Sequence, residues 1–286
     1  MNVLVVGDIH GEAERLLSKK LVVTKITEGE FKELSNGEDY DVLVVRTFTK
    51  LGKGEFMKLG NLRYVVSCSV GLDNIDLDEA GKRNIEIINC QGTNANSVAE
   101  HTLYLILSLI RRDNKRPFFE IKNKTIGLYG FGNIGKEVAV KLKGFGARVI
   151  AYDVIPQDKK ILNELNVSTV SLKELAEKSD IVSVHIPLNR HTLGIVGNDF
   201  FSGMKEGTFF VNTSRSEVVD EPALIENFKK EKFRGIGLDV YSDYLKKEII
   251  NGNVIFTGHV AAQGEDSFRE MCVKPVEEFL RRIEKN

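Results

Sequence analysis

The sequence of 286 residues contains little of what marks several large classes of protein. Its formal net charge is only −1, which gives no electrostatic basis for binding nucleic acid or an anionic membrane. No apolar run approaches the roughly 20 residues of a membrane-spanning helix, and the first residues lack the basic and apolar regions of a signal peptide. The three cysteines form no C-x-x-C pair, so we expect reduced thiols. These absences predict a cytoplasmic globular protein with neither a membrane nor a nucleic-acid partner.

What the sequence does contain is a regular alternation of short apolar runs and helical patterns. The runs are continuously apolar, which is typical of parallel strands covered on both faces. A long helical pattern at 96–112, which Asn94 or Asn96 could cap, separates two such series. We therefore predict an α/β protein with two doubly wound parallel sheets, ending in an amphipathic helix at 267–286 that is broken near Pro275. The predicted strands are 2–6, 21–25, 41–46, 63–69 and 85–90 in the first half, and 125–130, 148–153, 181–187, 208–214, 235–240 and 254–260 in the second.

A glycine-rich motif follows the first strand of the second half. Gly130, Gly132 and Gly135 form G-x-G-x-x-G between a strand and a helix. These glycines permit a tight turn, leave room for a pyrophosphate and let the helix pack closely, and the positive end of the helix dipole faces the phosphates. Asp153 ends the next strand, where a carboxylate accepts hydrogen bonds from the adenosine ribose and repels a 2′-phosphate. The motif predicts a dinucleotide site that favours NAD over NADP.

Three later strands of this half each end near a polar residue. Arg215, Asp239 and His259 follow the strands at 208–214, 235–240 and 254–260 or lie at their ends. Because open parallel sheets bind ligands at the carboxyl ends of their strands, we expect these side chains to share one edge with the glycine loop. An arginine can hold a carboxylate or carbonyl with two hydrogen bonds, and a histidine can pass a proton to a hydroxyl as a hydride moves. The pattern favours an NAD-dependent dehydrogenase.

Longer segments around these residues resemble one enzyme family. The segments GLYGFGNIG, VSVHIPLNRHTLGIVG, MKEGTFFVNTSRSEVVDEPAL, GLDV and FTGHVA, together with SVGLDNID and NANSVAEHTLYLIL of the first half and the linking helix, are similar to the D-isomer-specific 2-hydroxyacid dehydrogenases. This resemblance spans nearly the whole chain. It implies a Rossmann NAD-binding domain at 95–263, inserted in a flavodoxin-like substrate domain formed by 1–94 and 264–286. It also implies a homodimer that interconverts a D-2-hydroxy acid and its 2-oxo acid.

The resemblance further implies roles for the positions that match the motifs of the family. Arg215 would bind the 2-oxo acid and His259 would be the acid/base. Asp239 would hold the nicotinamide carboxamide, and the backbone amides of Val70 and Gly71 would take the substrate carboxylate. The other cofactor contacts would come from Asn133 and Ile134 at the pyrophosphate, Pro187 and Thr192 along the cleft, and Thr213 and Ser214 at the nicotinamide ribose.

Two positions leave the chemistry open. Arg46 could add charge for a phosphate or a second carboxylate, or it could be part of a surface ion pair. The family usually has a glutamate that pairs with the catalytic histidine, but here that position is Tyr244. Because the catalytic histidine lacks this glutamate, we expect reduction to weaken at higher pH. We hypothesise that Asp243 partly substitutes for the glutamate. Smaller departures from the family pattern are Ser216, Gly258 and Ala262.

The sequence alone leaves two other functions as alternatives. The first is an NAD(H)-responsive interaction protein of the same fold. The missing glutamate supports it weakly, whereas Arg215 and His259 oppose it. The second is a metal-dependent phosphoesterase, because VVGDIHGE at 5–12 places Asp8 and His10 in a D-x-H pattern after a strand. That class needs further ligands, and none of the five histidines follows an asparagine, so we expect no metal and assign Asp8 to a helix or turn cap.

Overall fold

The structure, a computed structural model, describes residues 1–37, 39–113 and 118–285. The chain divides into two compact units, one made of Met1–Asn94 with Gly264–Asn286 and the other of Ala95–Gln263. The strands are β1 (Asn2–Val6), β2 (Val22–Ile26), β3 (Val42–Val45), β4 (Tyr64–Ser67), β5 (Glu86–Ile88), β6 (Thr125–Tyr129), β7 (Arg148–Tyr152), β8 (Val167–Thr169), β9 (Ile181–Val184), β10 (Thr208–Asn212), β11 (Phe233–Leu238) and β12 (Val254–Phe256). The helices are α1 (Gly11–Ser18), α2 (Glu28–Glu33), α3 (Lys53–Lys58), α4 (Leu77–Lys82), α5 (Ala95–Arg112), α6 (Asn133–Leu142), α7 (Lys159–Leu165), α8 (Leu172–Lys178), α9 (Asn198–Gly203), α10 (Glu221–Lys229), α11 (Asp243–Glu248) and α12 (Glu265–Ile283).

The first unit is a five-stranded parallel sheet in the order β2-β1-β3-β4-β5. This is the flavodoxin-like strand order. Alternate side chains of β1 enter different cores: Val3 and Val5 pack with Leu17 and Phe279, whereas Leu4 packs on the opposite face. The three central strands, β1, β3 and β4, are buried on both faces, which explains their continuously apolar sequence, whereas the edge strands β2 and β5 carry exposed polar residues.

The second unit is a seven-stranded parallel sheet in the order β12-β11-β10-β9-β6-β7-β8. The chain starts in the middle at β6, runs outward through β7 and β8, and returns to β9 on the other side of β6. This is the Rossmann order with one added strand, and its switch point lies between β6 and β9. Tyr129 and Val184 enter the core on one face, and Leu128 and Val211 enter the core on the other. The predicted fold class, a Rossmann sheet inserted in a flavodoxin-like sheet, is confirmed.

The terminal helix differs from the prediction. α12 continues from Glu265 to Ile283 through Pro275, so the predicted break is wrong. A proline inside a helix removes one backbone hydrogen bond and crowds the preceding turn. Here Cys272, Val276 and Phe279 are buried in the core of the first unit, and this packing holds the helix together across the defect. None of the helices in the described ranges is long and apolar enough to cross a bilayer.

The predicted helix caps are also wrong. α1 is capped by His10, whose Nδ1 accepts a hydrogen bond from the Glu12 amide at 3.3 Å, while the exposed carboxylate of Asp8 lies 3.2 Å from Nζ of Lys25. α5 begins at Ala95, so Asn96 lies inside the helix. Asn94 precedes the helix, but its Oδ1 is buried without a hydrogen-bond partner among the described residues. The edge strand β8 was not predicted, since Val167 is its one buried residue.

Candidate active site

The predicted site residues of the second unit follow successive strands at one edge of its sheet. Because all strands are parallel, their carboxyl ends meet at this edge, and open sheets of this type bind ligands there. The switch point between β6 and β9 lies within the row. In sheet order, His259 follows β12, Asp239 follows β11, Arg215 follows β10, His185 follows β9, Gly130 follows β6 and Asp153 follows β7.

The glycine loop has a separate physical reason for two of its glycines. Gly130 has φ +99°, and a Cβ there would lie 2.8 Å from the backbone carbonyl carbon and oxygen of His185. A Cβ on Gly135 would lie 2.4 Å from the carbonyl oxygen of Gly130. Neither position tolerates a side chain, because the loop passes close to the end of β9 and folds back on itself.

The third glycine faces open space. Gly132 precedes α6, has an ordinary φ of −75°, and a Cβ there would meet no described atom within 4 Å. As the N-cap residue of α6, Gly132 has no side chain to accept a hydrogen bond from the first-turn amides, which include those of Asn133 and Ile134. A helix N-terminus that is open in this way suits an anionic pyrophosphate. The loop therefore fits the phosphates of a dinucleotide.

Asp153 is fixed by the loop that it would serve. One carboxylate oxygen, Oδ2, accepts a hydrogen bond from the Phe131 amide at 2.7 Å, and Oδ1 accepts one from the Ile155 amide at 2.8 Å. The Gly130 amide in turn donates to the Tyr152 carbonyl at 2.8 Å. These contacts join the end of β7 to the glycine loop and leave carboxylate lone pairs for further donors. The position fits a ribose hydroxyl contact.

The segment after β9 combines a buried histidine with an exposed turn. Burial lowers the pKa of His185 to about 3, so its ring is neutral at physiological pH. Its backbone amide donates to the Tyr129 carbonyl at 2.7 Å, which joins β9 to the start of the glycine loop. In the turn that follows, the Thr192 hydroxyl donates to the Pro187 carbonyl at 2.6 Å. Pro187 and Thr192, both predicted to line the cofactor cleft, therefore lie in one closed turn.

The Arg215 segment is organised by Asn212, which was not predicted from the sequence. Oδ1 of Asn212 accepts hydrogen bonds from the Ser214 amide at 3.0 Å and the Ser214 hydroxyl at 2.7 Å, and its Nδ2 donates to the Arg215 carbonyl at 2.9 Å. Nη1 of Arg215 donates to the Ser214 carbonyl at 2.9 Å. Thr213 is buried, with its hydroxyl 3.0 Å from that of Thr102 on α5. A buried asparagine at the end of a strand is the signal that could have revealed this turn.

Asp239 is a buried carboxylate surrounded by hydrogen-bond donors. Its Oδ1 accepts from the Thr257 hydroxyl at 2.6 Å and the Val260 amide at 3.0 Å, and its Oδ2 accepts from the Ala261 amide at 3.1 Å. Nε2 of His101 lies 3.4 Å from Oδ1. Burial alone raises the pKa of Asp239, but the hydrogen bonds from His101, Thr257 and the two amides outweigh it and hold the pKa below its usual value. The carboxylate stays ionised and orders the segment 257–261.

His259 lies in that ordered segment with an unusual backbone. Its φ is +56°, in the left-handed region that few residues other than glycine adopt. Its amide donates to the carbonyl of Asp239 at 2.8 Å, and its carbonyl accepts from Nε2 of Gln263 at 3.3 Å. The residue is exposed at the edge of the sheet. An exposed imidazole on a fixed backbone is suited to exchanging protons with a bound ligand.

The position that departs from the family pattern lies nearby in sequence. Asp243 is the first residue of α11 and is exposed, and Tyr244 follows it with 58% of its surface exposed. Ser242 caps α11 and is held by Glu221, which bonds both its amide, at 3.0 Å, and its hydroxyl. The proposed partnership between Asp243 and His259 stays a prediction.

The predicted substrate residues of the first unit also follow its strands. Val70 and Gly71 come after β4, and the Val70 carbonyl accepts a hydrogen bond from Nδ2 of Asn89 at 2.9 Å. Arg46 follows β3, with its guanidinium 4.8 Å from the ring centre of Phe268, a cation–π distance. This aromatic contact was not expected from the sequence. Neither of the two roles considered for Arg46, a contact to a substrate anion or a surface ion pair, predicts this packing on an aromatic ring.

The D-x-H pattern at the N-terminus has a structural explanation. His10 caps α1, and its ring centre lies 6.0 Å from that of Phe268. Within the described ranges, no group of three or more histidine, cysteine or acidic residues could hold a metal ion. The three cysteines are free thiols.

Comparisons with known proteins agree with this arrangement. Residues 94–261 match the family model described as D-isomer specific 2-hydroxyacid dehydrogenase, NAD binding domain. The chain is 33% identical over 266 residues to a hydroxypyruvate reductase of Thermotoga maritima, covering 86% of this chain and 85% of that protein. It is 32% identical over 291 residues to a D-3-phosphoglycerate dehydrogenase of Archaeoglobus fulgidus, covering 93% of this chain but only 54% of that protein.

Solved structures show the same relationship. A D-lactate dehydrogenase from Aquifex aeolicus, complexed with NAD and lactic acid, superposes with a TM-score of 0.85 at 27% identity, covering 99% of this chain and 96% of that one. The holo form of D-mandelate dehydrogenase from Rhodotorula graminis superposes with a TM-score of 0.88 at 26% identity, over 98% and 93% of the two chains. The resemblance predicted from the sequence motifs is confirmed, and so is the NAD-type cofactor. The chain belongs to the family of D-isomer-specific 2-hydroxyacid dehydrogenases, and its residues 94–261 form the NAD-binding domain of that family.

Proposed function

We propose that this protein is an NAD-dependent oxidoreductase that interconverts a D-2-hydroxy acid and its 2-oxo acid. The observation that carries the proposal is the row of residues along one sheet edge: Asp153 and the glycine loop at one end, Arg215, Asp239 and His259 at the other. A dinucleotide laid across the switch point would have its adenosine end at Asp153 and its nicotinamide end at Arg215. The reductases and dehydrogenases that this chain resembles support the reaction class.

The second unit would bind the cofactor with the groups described above. Gly132 leaves room for the pyrophosphate, and the amides of Asn133 and Ile134 would donate to it. Asp153 would accept from the adenosine ribose hydroxyls, and its negative charge would repel a 2′-phosphate. Asp239 would hold the nicotinamide carboxamide, with Thr213 and Ser214 at the adjacent ribose and Pro187 and Thr192 along the cleft. When bound, NAD(H) supplies the hydride donor and acceptor.

The substrate would be held and protonated by two side chains. The guanidinium of Arg215 would bind the 2-oxo acid through two hydrogen bonds and draw electron density from its carbonyl. The imidazolium of His259 would deliver its proton to the carbonyl oxygen during reduction and regain it in the reverse direction. Asp243 would favour the imidazolium, as a carboxylate neighbour does. Comparing pH–rate profiles of the wild type and Asp243→Asn tests this last role, and identical profiles would contradict it.

The first unit, 1–94 with 264–286, would be the substrate domain, and 95–263 the dinucleotide-binding domain. The amides of Val70 and Gly71 would take the substrate carboxylate. Arg46 would recognise a second anionic group of the substrate. A preference of the wild type for 3-phosphohydroxypyruvate over pyruvate that Arg46→Met abolishes would support this role of Arg46.

We further propose that the protein works in the cytoplasm as a homodimer. The dimer follows from the family resemblance, and the free thiols suit a reducing compartment. Light scattering coupled to gel filtration tests the dimer directly. A mass near 32.0 kDa, that of one chain, at micromolar concentration would contradict it.

A substrate panel tests the reaction. NADH oxidation would be followed with glyoxylate, hydroxypyruvate, pyruvate and 3-phosphohydroxypyruvate, and each acid repeated with NADPH. We expect turnover of at least one acid, and faster turnover with NADH. Tight NADH binding without turnover of any acid would contradict the enzyme and favour an NAD(H)-responsive binding protein.

A further inference from the structure

The segment that carries His259 is held in place by one buried carboxylate, that of Asp239. Asp239, at the end of β11, accepts hydrogen bonds from the Thr257 hydroxyl and from the amides of Val260 and Ala261, at 2.6, 3.0 and 3.1 Å. These contacts lie on both sides of His259 in the chain. They set the path of the backbone before and after it.

The same segment is also held by two side chains of α5. Ser97 and His101 are four residues apart and therefore lie on one face of this helix. The Ser97 hydroxyl donates to the Ala261 carbonyl at 2.7 Å, and Nε2 of His101 lies 2.9 Å from the Thr257 hydroxyl oxygen. The helix thus contacts both ends of the segment, one end through each side chain.

The chemistry of the donors fixes the direction of this chain of hydrogen bonds. The ionised carboxylate of Asp239 can only accept, so the single hydroxyl proton of Thr257 is directed to it. The Thr257 oxygen must then accept from His101, which requires the proton of the imidazole to be on Nε2. His101 donates to Thr257, Thr257 donates to Asp239, and Asp239 holds the amides next to His259.

This network acts on a residue whose backbone needs support. The φ of +56° at His259 is unfavourable for a residue with a Cβ, and such a conformation persists where its surroundings enforce it. The amide of His259 donates to the Asp239 carbonyl, so the carboxylate and the backbone of one aspartate both hold the segment. If the Asp239 carboxylate were held less firmly, the segment would relax and the imidazole would move away from the reacting oxygen. Proton transfer is sensitive to such a displacement.

We propose that His101 is a positioning residue for His259: through Thr257 and Asp239 it holds the segment 257–261 in the conformation that aims the acid/base at the substrate. The proposal rests on the proposed function, in which His259 moves the proton. It assigns to α5 a part in catalysis through a hydrogen bond that joins residues 156 positions apart in the sequence.

Two variants of one residue separate this role from a general structural one. His101→Leu removes the donor, whereas His101→Gln keeps an N–H at the position of Nε2. We expect His101→Leu to lower kcat for 2-oxo acid reduction about 10- to 100-fold, since positioning acts on the chemical step. The Kd for NADH should change by a smaller factor than kcat, because Asp239, which would hold the nicotinamide carboxamide, keeps its other hydrogen bonds. His101→Gln should restore kcat to within about fivefold of the wild type. Arg111→Gln, an exposed position on the same helix, is the matched control and should behave as the wild type.

A second measurement does not depend on activity. Hydrogen–deuterium exchange of the peptide that contains Val260 and Ala261 should be about tenfold faster in His101→Leu than in the wild type, and close to the wild type in His101→Gln. The positioning role is overturned if His101→Leu keeps either the kcat or the exchange rate of the wild type, or if His101→Gln is as impaired as His101→Leu. If the wild type reduces no 2-oxo acid, the proposed function fails, and a wild-type exchange rate in His101→Leu would separately overturn the hold of His101 on the segment.

Discussion

The backbone amide of Phe131, inside the glycine loop, donates a hydrogen bond of 2.7 Å to Oδ2 of Asp153, at the end of the neighbouring strand. The glycine loop and the carboxylate that we propose to bind the adenosine ribose are therefore joined directly to each other. The ring of Phe131 is buried in the core of the second unit, which also anchors the loop. A preformed site of this kind loses little conformational entropy on binding.

The first prediction concerns the choice between NADH and NADPH. Asp153→Asn keeps one oxygen that can accept a hydrogen bond from a backbone amide, but it removes the negative charge that repels a 2′-phosphate. We expect the ratio of kcat/KM with NADH to kcat/KM with NADPH to fall about 10- to 100-fold, because two like charges about 4 Å apart near a protein surface repel by up to roughly 4 kcal/mol. Asp199→Asn, an exposed aspartate on α9, is the control. An unchanged ratio in Asp153→Asn would show that Asp153 does not face the ribose.

The second prediction separates the glycines of the loop. Gly132→Ala adds a methyl group where no described atom lies within 4 Å, so the melting temperature should change little while the Kd for NADH rises about tenfold or more. Gly135→Ala places its Cβ 2.4 Å from the carbonyl oxygen of Gly130 and should destabilise the fold by roughly 1–3 kcal/mol. Thermal unfolding and fluorescence titration with NADH measure the two effects. Normal NADH affinity in Gly132→Ala would argue against pyrophosphate binding at this loop.

The third prediction concerns the substrate arginine. Arg215→Lys keeps the positive charge but loses the planar fork that can bind a carboxylate with two parallel hydrogen bonds. We expect kcat/KM for the 2-oxo acid to fall roughly 30- to 1000-fold, which corresponds to a loss of about 2–4 kcal/mol of transition-state stabilisation. The Kd for NADH should be nearly unchanged. Arg148→Lys, an exposed position at the start of β7, should have no effect. A kcat/KM of wild-type size in Arg215→Lys would remove Arg215 from the substrate site.

The fourth prediction is a pH dependence of stability. Burial lowers the pKa of His185 to about 3, below the value of about 6.5 in the unfolded chain, so the unfolded state binds the proton more readily. The contribution of His185 to the free energy of unfolding is therefore fully present above pH 6.5 and is lost as the pH falls toward 3. The free energy of unfolding decreases by up to about 1.4 kcal/mol per pH unit over this range. Urea unfolding between pH 7 and 5, above the range in which carboxylates titrate, should show a shallower loss in His185→Phe. Equal slopes in the two proteins would mean that His185 becomes protonated in the folded state.

The sequence carries those parts of the structure that depend on short-range patterns. Apart from β8, the strands of both sheets follow from apolar runs, and Gly130, Gly132, Gly135 and Asp153 follow from a motif within one strand–helix–strand unit. The family resemblance extended this to Arg215 and His259. In each case the signal is local or is a motif of known order.

The features that were missed depend on contacts between distant residues. The hydrogen bond between His101 and Thr257 leaves no local signature, although two polar side chains one turn apart on α5, Ser97 and His101, were a detectable hint. Pro275 shows the opposite case: its local effect is to break a helix, and core packing of α12 overrides it. At the N-terminus, the spacing of Asp8 and His10 resembled a metal motif, but His10 serves as a helix cap.

Hydride transfer from NADH to C2 of a 2-oxo acid, giving the D isomer, is the reaction that we propose for this protein. The most direct test is a reaction with NADH deuterated at C4 on the face that is transferred, followed by chiral chromatography and mass spectrometry of the product. The acid is the best substrate among hydroxypyruvate, pyruvate and 3-phosphohydroxypyruvate, since the glycolate formed from glyoxylate has no D and L forms. We predict a D-2-hydroxy acid that carries one deuterium at C2, formed by the wild type and about 10²–10⁴-fold more slowly by His259→Ala. A product without deuterium at C2, an L or racemic product, or wild-type rates in His259→Ala would contradict the account.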